Sequence, residues 1–441
     1  MVKKFVAKDN KKPVVKKPVE NKKSAAFQNV KGMADILPKD QLWWRAFEKA
    51  GRNIAELYDF YSIETPILEN AALFEEGVGE LTDIVEKQMF TFKTRGDDRL
   101  TLRPENTAGV MRAYLQYQLG YFASPLKVSY YGPMFRYEKP QFGRGRQFHQ
   151  WGLEVIGDSD PVYDVELILA ALELFRELKI NKDVQLKINT IGCRVCRTNY
   201  RQKLKDYYRS HKSKTCADCQ RRYEKNVFRL LDCKNEECKA FKEKAPIILD
   251  YLCQNCNNHF KGVLEIIEDN SLVYEVNPHL VRGLDYYNRT VFEFSHSLGF
   301  EVGGGGRYDY LSERIGGRAV PAVGLAIGAE RVIEAMKSKN IIPNFKVKPK
   351  LFMAAVGDQA KKASLKLMGQ LRQNGLIVAE ALGKKSLGLQ LKAADKAKAN
   401  LTFIFGQKEL FEGTIIVRNM ESGEQETIRA DKIVEEAKRR L

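Results

Sequence analysis

The sequence predicts a mixed α/β (α+β) protein with more than one domain. Residues 127–131 and 148–156 are rich in β-branched and aromatic side chains and flank a polar loop, a pattern typical of an antiparallel strand pair. All eight cysteines fall within residues 193–256, in a segment with a helical pattern. After residue 349, strand and helix patterns alternate, which predicts a small α/β domain with a mixed sheet.

The length of 441 residues is enough for two or three domains, each with its own core. A hydrophobic content of 44% and a charged content of 29% are ordinary for a globular protein. No apolar run approaches the roughly 18 residues that a membrane span needs, and the start lacks the apolar core of a signal sequence. We therefore expect a cytoplasmic protein without a membrane partner.

The net charge of +17 is distributed unevenly along the chain. Residues 1–28, 181–270 and 346–441 carry net charges of +7, +7 and +8, whereas the remainder carries −5. Basic segments around a slightly acidic body suit a catalytic centre flanked by surfaces for a long polyanion such as RNA. Charge that serves general solubility is the alternative.

The first elements follow a lysine-rich stretch, residues 1–26, which is too poor in large apolar residues to fold and predicts a disordered tail. Apolar residues at helical spacing then predict a helix over residues 41–59. A strand is expected over residues 61–68. Pro66 lacks a donor N–H, so this strand should lie at a sheet edge or an interface.

The segment LTLRPENTAG at residues 100–109 predicts a strand followed by a helix that runs to about residue 119. Glu105 and Thr107 fall at the junction, where a carboxylate and a hydroxyl can either cap the helix or hold an ammonium group. Further on, a helix is expected over residues 160–178 and a strand over 185–190.

The cysteines form three CxxC pairs and one CxxxxC pair. Disulfides are rare in the cytosol, and CxxC pairs suit tetrahedral zinc with four thiolates per ion, so eight ligands predict about two zinc ions. The spacing leaves open which pairs combine, and redox-active or incidental thiols are the alternatives. The four pairs are Cys193/Cys196, Cys216/Cys219, Cys233/Cys238 and Cys253/Cys256.

The loop at residues 138–147 places three cations, Arg144 and Arg146 among them, at the tip of the first strand pair. Such a tip suits a polyphosphate, although a solvated loop is the alternative. Arg136 and Glu138 alternate with apolar neighbours and are expected on one face of the sheet.

Four later segments carry further patterns. Residues 271–276 predict a strand, and residues 280–287 read LVRGLDYY, in which two tyrosines offer an aromatic wall with hydroxyl groups. Residues 301–309 read EVGGGGRYD, whose glycines allow main chain to approach a ligand closely. Residues 321–332 predict a strand and then a helix that carries Arg331.

These segments together resemble class II aminoacyl-tRNA synthetases in the variant found in histidyl-tRNA synthetases. The FRYE arm with the GLEVIG return strand resembles the second class II motif, and LVRGLDYY resembles the histidine-specific signature. The resemblance implies a catalytic domain with an antiparallel sheet flanked by helices, a mostly helical insertion and an anticodon-binding domain. The implied ranges are a basic tail at 1–28, a catalytic domain at 29–345 with the insertion at about 191–270, and an anticodon-binding domain at 346–441.

The resemblance also implies an activity and partners. The enzyme would activate L-histidine with ATP and Mg²⁺ to histidyl-adenylate and pass the histidyl group to the 3′ end of tRNA(His), as a homodimer built at residues 41–68. The implied ATP-binding residues are Arg136 and Arg282 at the α-phosphate, Arg144 and Arg331 at the γ-phosphate, and Glu138 and Phe148 at the adenine, with Arg136 and Arg282 catalytic.

For histidine, the resemblance implies that Glu105, Thr107 and Gln150 bind the α-amino group and that Arg282 also contacts the carboxylate. Glu154 and Tyr287 would hold the two imidazole nitrogens, with Tyr286 in the same wall. Two alternatives stay open: a non-catalytic regulatory paralogue and an RNA-binding protein with a degenerate catalytic body.

Overall fold

The computed structural model describes residues 27–343 and 350–441, apart from residues 81, 142 and 234. The chain divides into two compact units, Met1–Pro343 and Asn344–Leu441. The predicted tail over residues 1–26, and most of the stretch where the boundary at 345/346 is expected, lie outside the described residues.

The first unit contains helices and strands in the following chain order. The helices are α1 (Gln41–Leu57), α2 (Ala71–Val78), α3 (Thr107–Gln116), α4 (Val162–Glu177), α5 (Arg194–Arg209), α6 (Ala217–Lys225), α7 (Glu236–Glu243), α8 (Gln254–Asp269), α9 (Leu311–Arg314) and α10 (Ala329–Ser338). The strands are β1 (Tyr61–Ser62), β2 (Leu68–Asn70), β3 (Phe90–Lys93), β4 (Arg99–Leu102), β5 (Leu126–Phe135), β6 (Gln147–Ile156), β7 (Val184–Thr190), β8 (Tyr274–Val276), β9 (Asn288–His296), β10 (Phe300–Arg307) and β11 (Ala322–Gly328).

Eight of these strands form one large sheet in the order β1-β5-β6-β11-β10-β9-β7-β8. The two outermost pairs, β1 with β5 and β7 with β8, are parallel, and the inner pairs are antiparallel. A smaller antiparallel sheet has the order β2-β4-β3. Helices α5 to α8 lie in the chain between β7 and β8, as predicted for a mostly helical insertion.

The alternation of side chains along the strands gives the large sheet two different faces. In β6, Trp151, Leu153 and Val155 pack into a core that also includes residues of α1, α4, α8 and α10. Gln150 and Glu154 alternate with them and therefore point to the opposite face. That face is covered by a second core, which includes residues of α2, α3 and the 280–287 loop.

One local prediction is wrong. The strand expected over residues 61–68 is interrupted: β1 pairs at the edge of the large sheet, β2 belongs to the small sheet, and Pro66 lies between them in neither. The glycine run at residues 303–306 lies within β10. There, a Cβ on Gly305 would lie 2.0 Å from the carbonyl oxygen of Gly324 on β11, so the close approach of these strands requires glycine.

The second unit has a five-stranded mixed sheet in the order β13-β12-β14-β15-β16, with helices packed on both faces. Its predicted alternation is correct, and the helix at Gln407–Glu412 and the strand at Gln425–Arg429 are additional. The elements are β12 (Lys350–Ala355), α11 (Asp358–Gln373), β13 (Ile377–Glu380), α12 (Leu387–Lys396), β14 (Leu401–Phe405), α13 (Gln407–Glu412), β15 (Thr414–Asn419), β16 (Gln425–Arg429) and α14 (Ile433–Arg440).

Candidate active site

A cavity of about 490 Å³ lies on the polar side of the large sheet. It is bordered by the ends of β5 and β6, the middle of β10 and β11, the start of α3 and the 280–287 loop. Of the residues predicted for the ATP and histidine sites, all but one line it: Glu105, Thr107, Arg136, Glu138, Arg144, Phe148, Gln150, Arg282, Tyr286, Tyr287 and Arg331. The exception is Glu154, which lies directly behind the wall.

Arg136 follows the last residue of β5 and extends across the cavity wall. Its Nε donates to the carbonyl oxygen of Pro104 at 2.8 Å, and its guanidinium carbon lies 5.2 Å from the centre of the Phe148 ring. Burial lowers the pKa of Arg136, because the charged form loses water. A desolvated, held guanidinium attracts an anion more strongly than a solvated one does.

The loop between β5 and β6 brings a second pair of cations together, Arg144 in the loop and Arg331 on α10. Nη1 of Arg144 lies 3.4 Å from Oε2 of Glu138. A Cβ on Gly143 would lie 3.1 Å from Cγ of Arg331, so the loop passes closely over α10. Burial, and secondarily the positive charge of Arg144, lower the pKa of Arg331. The positive charge of Arg144 beside Arg331 favours an anionic ligand near both groups.

Glu105 caps α3, which is one of the two roles that the sequence left open for it. Its two carboxylate oxygens accept the N–H groups of Thr107 at 2.7 Å and of Ala108 at 3.0 Å. Burial raises the pKa of Glu105. A carboxylate has about four lone-pair positions, so capping does not prevent it from also accepting an ammonium proton in the cavity.

Gln150, in the middle of β6, lines the same part of the cavity. Its Oε1 is buried and has no hydrogen-bond partner within the part of the chain that the structure describes. Buried acceptors without partners are rare because they lose the hydrogen bonds that water would give. Oε1 of Gln150 and the carboxylate of Glu105 can therefore both accept hydrogen bonds from a ligand in the cavity.

Glu154 lies under the cavity, completely buried, and is held by hydroxyl groups. Thr107 donates to its Oε1 at 2.7 Å, Tyr308 to its Oε2 at 2.6 Å, and Tyr130 to its Oε1 at 3.4 Å. Burial raises its pKa to about 8, although these hydrogen bonds oppose the shift. A Cβ on Gly324 would lie 1.7 Å from Oε2, so only glycine leaves room for this carboxylate.

The 280–287 loop supplies the remaining wall. Nη1 of Arg282 donates to Oε2 of Glu293 on β9 at 2.9 Å, and it would lie 2.9 Å from a Cβ on Gly304. The ring centres of Tyr286 and Tyr287 are 4.7 Å apart, and Tyr286 donates to Oε2 of Glu105 at 3.5 Å. The glycines of β10 thus allow a guanidinium to lie flat against the strand.

Sequence reasoning missed two of the groups that hold Glu154, namely Tyr130 and Tyr308. Tyr130 could have been found from the strand period, because it shares a face of the β5–β6 pair with Glu154: Val128 pairs with Glu154, and Tyr130 with Gly152. Tyr308 lies just beyond β10, and its approach to Glu154 depends on a contact between distant segments that no local pattern records.

The cysteines fall into two groups of four, which answers the pairing question left open by the spacing. An inner cluster contains Cys193, Cys196, Cys253 and Cys256, and an outer cluster contains Cys216, Cys219, Cys233 and Cys238; within each, the sulfurs lie within 4.8 Å of one another. All eight are free thiols. Sulfur pairs at 3.7, 3.9 and 3.8 Å match the roughly 3.8 Å edge of a zinc–thiolate tetrahedron with bonds of about 2.3 Å.

Main-chain N–H groups support both clusters. Cys253 N–H donates to Sγ of Cys196 at 3.1 Å, and Cys216 N–H donates to Sγ of Cys238 at 3.3 Å. The N–H of Cys256 lowers the pKa of Cys253 to about 7. Donors aimed at sulfur favour the thiolate, which is the form that binds metal, so the donor sets fit zinc.

Comparisons with known proteins agree with this geometry. A family model described as histidyl-tRNA synthetase matches residues 32–332, and one described as an anticodon binding domain matches residues 350–440. The histidine–tRNA ligase of Dehalococcoides mccartyi is 43% identical over 418 residues, which cover 94% of this chain and 100% of that protein. The histidine–tRNA ligase of Halothermothrix orenii is 44% identical over 92% of this chain and 97% of its own length.

Solved structures give the same result. The apo histidyl-tRNA synthetase of S. aureus superposes with a TM-score of 0.77 at 32% sequence identity, and the match covers 93% of this chain and 99% of that structure. The similarity therefore extends over both units, and it includes the segments that form the cavity.

Proposed function

The chain belongs to the histidyl-tRNA synthetase family, which makes it a histidine–tRNA ligase, and we propose that the cavity described above is where it activates histidine with ATP. The fold class, the family and the enzyme class predicted from the sequence are confirmed. The observation that carries the proposal for the site is the convergence of Arg136, Arg282 and Tyr287 on one cavity, with Glu154 directly behind it.

Activation joins a carboxylate to the α-phosphate of ATP, so two anions must approach each other. Arg136 and Arg282 supply fixed positive charge at the α-phosphate, and Arg144 and Arg331 bind the γ-phosphate at the loop tip. All four side chains line one cavity, which supports this assignment. Charge supplied by held, desolvated groups stabilises the transition state without reorganisation during the reaction. Mg²⁺ enters with ATP as part of the substrate.

The adenine lies near Phe148 and Glu138. Phe148 offers a ring face for stacking, and the guanidinium of Arg136 near that ring places phosphate and base recognition side by side. Glu138 accepts a hydrogen bond from the adenine amino group. It also contacts Arg144, which binds the γ-phosphate.

Histidine binds deeper, at the polar wall. Glu105, Thr107 and the unpartnered Oε1 of Gln150 accept from the α-ammonium group. Glu154 and Tyr287 contact the two imidazole nitrogens, with Tyr286 beside them. An amino acid with an apolar side chain of the same size would leave Glu154 and Tyr287 without a hydrogen-bond partner on the ligand. The site therefore rejects such amino acids strongly without an editing step.

The partner tRNA(His) contacts several parts of the chain. The second unit matches an anticodon-binding model, and on and beside α12 it exposes five lysines. Gly143, Arg144 and Gly145 of the loop between β5 and β6 line the cavity, and Arg146 and Gln147, which follow them, would contact the end of the acceptor stem. The exposed lysines are Lys384, Lys385, Lys392, Lys396 and Lys398.

Two zinc ions form part of the proposal, one in the inner and one in the outer cysteine cluster. The ligand sets are all-thiolate and closed, which is typical of structural zinc and leaves no open position for a substrate. The zinc ions would therefore stabilise the insertion and take no part in the acyl chemistry.

The enzyme is a homodimer that associates through the segment around β1. This short strand lies at the edge of the large sheet, and exposed apolar side chains surround it, including Tyr61, Ile67 and Phe122. The rings of Tyr61 and Phe122 already pack edge to face, 5.1 Å apart, although both are exposed. A rigid apolar patch beside a free sheet edge is typical of an interaction surface.

Among the described residues, no helix combines the length and the apolar character needed to cross a bilayer. The protein acts in the cytoplasm, where its tRNA partner is found. A reducing compartment also keeps thiolates available as zinc ligands.

The test is ATP–pyrophosphate exchange with purified enzyme and each of the twenty amino acids in turn. Exchange that depends on histidine alone, followed by charging of tRNA(His), supports the proposal. A regulatory paralogue would give no exchange with any amino acid, and an RNA-binding protein with a degenerate site would bind tRNA without exchange. Either result would overturn the proposal.

A further inference from the structure

The insertion contributes directly to the wall of the cavity, which the sequence did not predict. Arg229, Leu231, Asp232 and Lys242 line the cavity together with the residues of the catalytic sheet. The first of these belongs to a short 3₁₀ turn, Val227–Leu230, which lies in the chain between two cysteines of the outer cluster. The position of this turn therefore depends on how the insertion folds.

Arg229 is the residue of that turn that joins the insertion to the cavity. Its side chain is buried, with 7% of the residue exposed. Nη1 donates to the carbonyl oxygen of Gly283 at 3.0 Å, and Nη2 lies 2.6 Å from Oδ2 of Asp83. Asp83 itself lines the cavity. One planar guanidinium thus connects two separate segments of the cavity wall, a geometry that lysine cannot reproduce.

Neighbouring contacts strengthen the same junction. Nδ2 of Asn226 donates to Oδ1 of Asp285 at 3.1 Å, and Nη2 of Arg222 lies 3.0 Å from Oδ2 of Asp83. The insertion therefore contacts the main chain at Gly283 and the side chain of Asp285, on either side of residue 284. Gly283 directly follows Arg282, and its lack of a side chain leaves this part of the loop dependent on external contacts for a fixed conformation.

We infer that Arg229 is a positioning residue for histidine activation: by fixing the peptide at Gly283, it sets the place of the Arg282 guanidinium in the cavity. The inference rests on the proposed role of Arg282. Glu293 holds the far end of the Arg282 side chain, and Arg229 holds the main chain next to its near end. Loss of Arg229 leaves Asp83 paired with Arg222, so the fold is retained while the loop loses its anchor.

The experiment compares three variants in histidine-dependent pyrophosphate exchange. We expect Arg229→Ala to lower kcat at least tenfold while KM for histidine and for ATP changes less than threefold, because misplaced charge affects the transition state more than ground-state binding. Arg222→Ala removes the other cation on Asp83 but no contact to Gly283, and should lower kcat less than threefold. Arg221→Ala is an exposed control that removes an ion pair with Asp218 and no contact to Gly283, and it should leave kcat unchanged.

A double-mutant cycle separates positioning from general destabilisation. If Arg229 acts through Arg282, adding Arg229→Ala to Arg282→Ala should cost less than twofold in kcat, whereas independent effects would multiply. Multiplicative losses, or an unchanged kcat in Arg229→Ala, overturn the inference. If Arg229→Ala lowers Tm by more than about 5 °C, the same cycle with Arg282→Ala is measured with Arg229→Gln instead. That variant retains most of the side-chain stem, and its result decides whether the inference stands. Wild-type enzyme without histidine-dependent exchange would instead overturn the proposed function.

Discussion

The hydroxyl of Tyr308 donates a hydrogen bond of 2.6 Å to Oε2 of Glu154, and both side chains are buried. Thr107 holds the other carboxylate oxygen from the opposite side, at 2.7 Å. The carboxylate is therefore oriented before any substrate arrives, and its remaining lone pairs have a fixed direction. Preorganised acceptors of this kind lose little entropy when a ligand binds, which is the physical basis of the first prediction.

Replacement of Glu154 by glutamine should weaken histidine binding. A hydrogen bond to a charged group is worth about 1.5–3 kcal/mol. Above pH 8, where Glu154 is ionised, we therefore expect KM for histidine to rise roughly 10- to 150-fold in pyrophosphate exchange, with KM for ATP changed far less. Glu166→Gln is a matched control, because Glu166 on α4 pairs with Lys127 on β5 and neither residue lines the cavity. A KM for histidine within twofold of wild type would contradict the assignment of Glu154.

The stability of the enzyme should depend on pH through the same residue. Burial raises the pKa of Glu154 from its ordinary value of 4.5 to about 8, so between these values the folded protein binds one proton more than the unfolded chain. Its contribution to stability is thus complete below pH 4.5 and is lost as pH rises through about 8. Relative to Glu154→Gln, the free energy of unfolding of the wild type should fall by about 1.4 kcal/mol per pH unit within this window. Parallel pH profiles for the two proteins, measured by urea unfolding, would contradict this.

Local patterns predicted the elements that surround the site. The β5–β6 pair was visible from its β-branched and aromatic runs, and α10 with Arg331 from its sequence. The strand period also correctly separates Glu154 from the core residues Leu153 and Val155. These features succeed because each depends on neighbours within a few residues.

Features that depend on distant segments were not predicted. The four-glycine run predicted a close approach of main chain to a ligand, but not that β10 would also approach β11 and Arg282 closely. Spacing alone could not combine the cysteine pairs, since the inner cluster joins Cys193 to Cys253 across some sixty residues of chain. The entry of Arg229 into the cavity wall has the same origin, because only the folded insertion brings it to Gly283.

Metal content should follow the two clusters independently. Purified wild-type protein should contain two zinc ions per chain by elemental analysis, and Cys216→Ser with Cys219→Ser should reduce this to one. Cys193→Ser with Cys196→Ser should also leave one, because the clusters share no ligand. Tm should fall in both variants, since binding of zinc to the folded state alone stabilises it. Absence of zinc from the wild type, or loss of both ions in the outer-cluster variant with the insertion still folded, would contradict the two-site assignment.

The buried pair Arg307–Asp164 should be important for stability. Both side chains are completely buried; Nη2 of Arg307 lies 2.7 Å from Oδ2 of Asp164, and its Nη1 donates to the carbonyl oxygen of Asp158 at 3.1 Å. Arg307→Met leaves the carboxylate without its cation and should lower the free energy of unfolding by about 3–5 kcal/mol in urea. Arg307→Met with Asp164→Leu should recover most of this, because neither member of the completely buried pair then carries a charge. Arg209→Met, which breaks the exposed pair with Asp206, should cost less than about 1 kcal/mol. Equal losses in Arg307→Met and Arg209→Met would show that burial does not determine the strength of this pair.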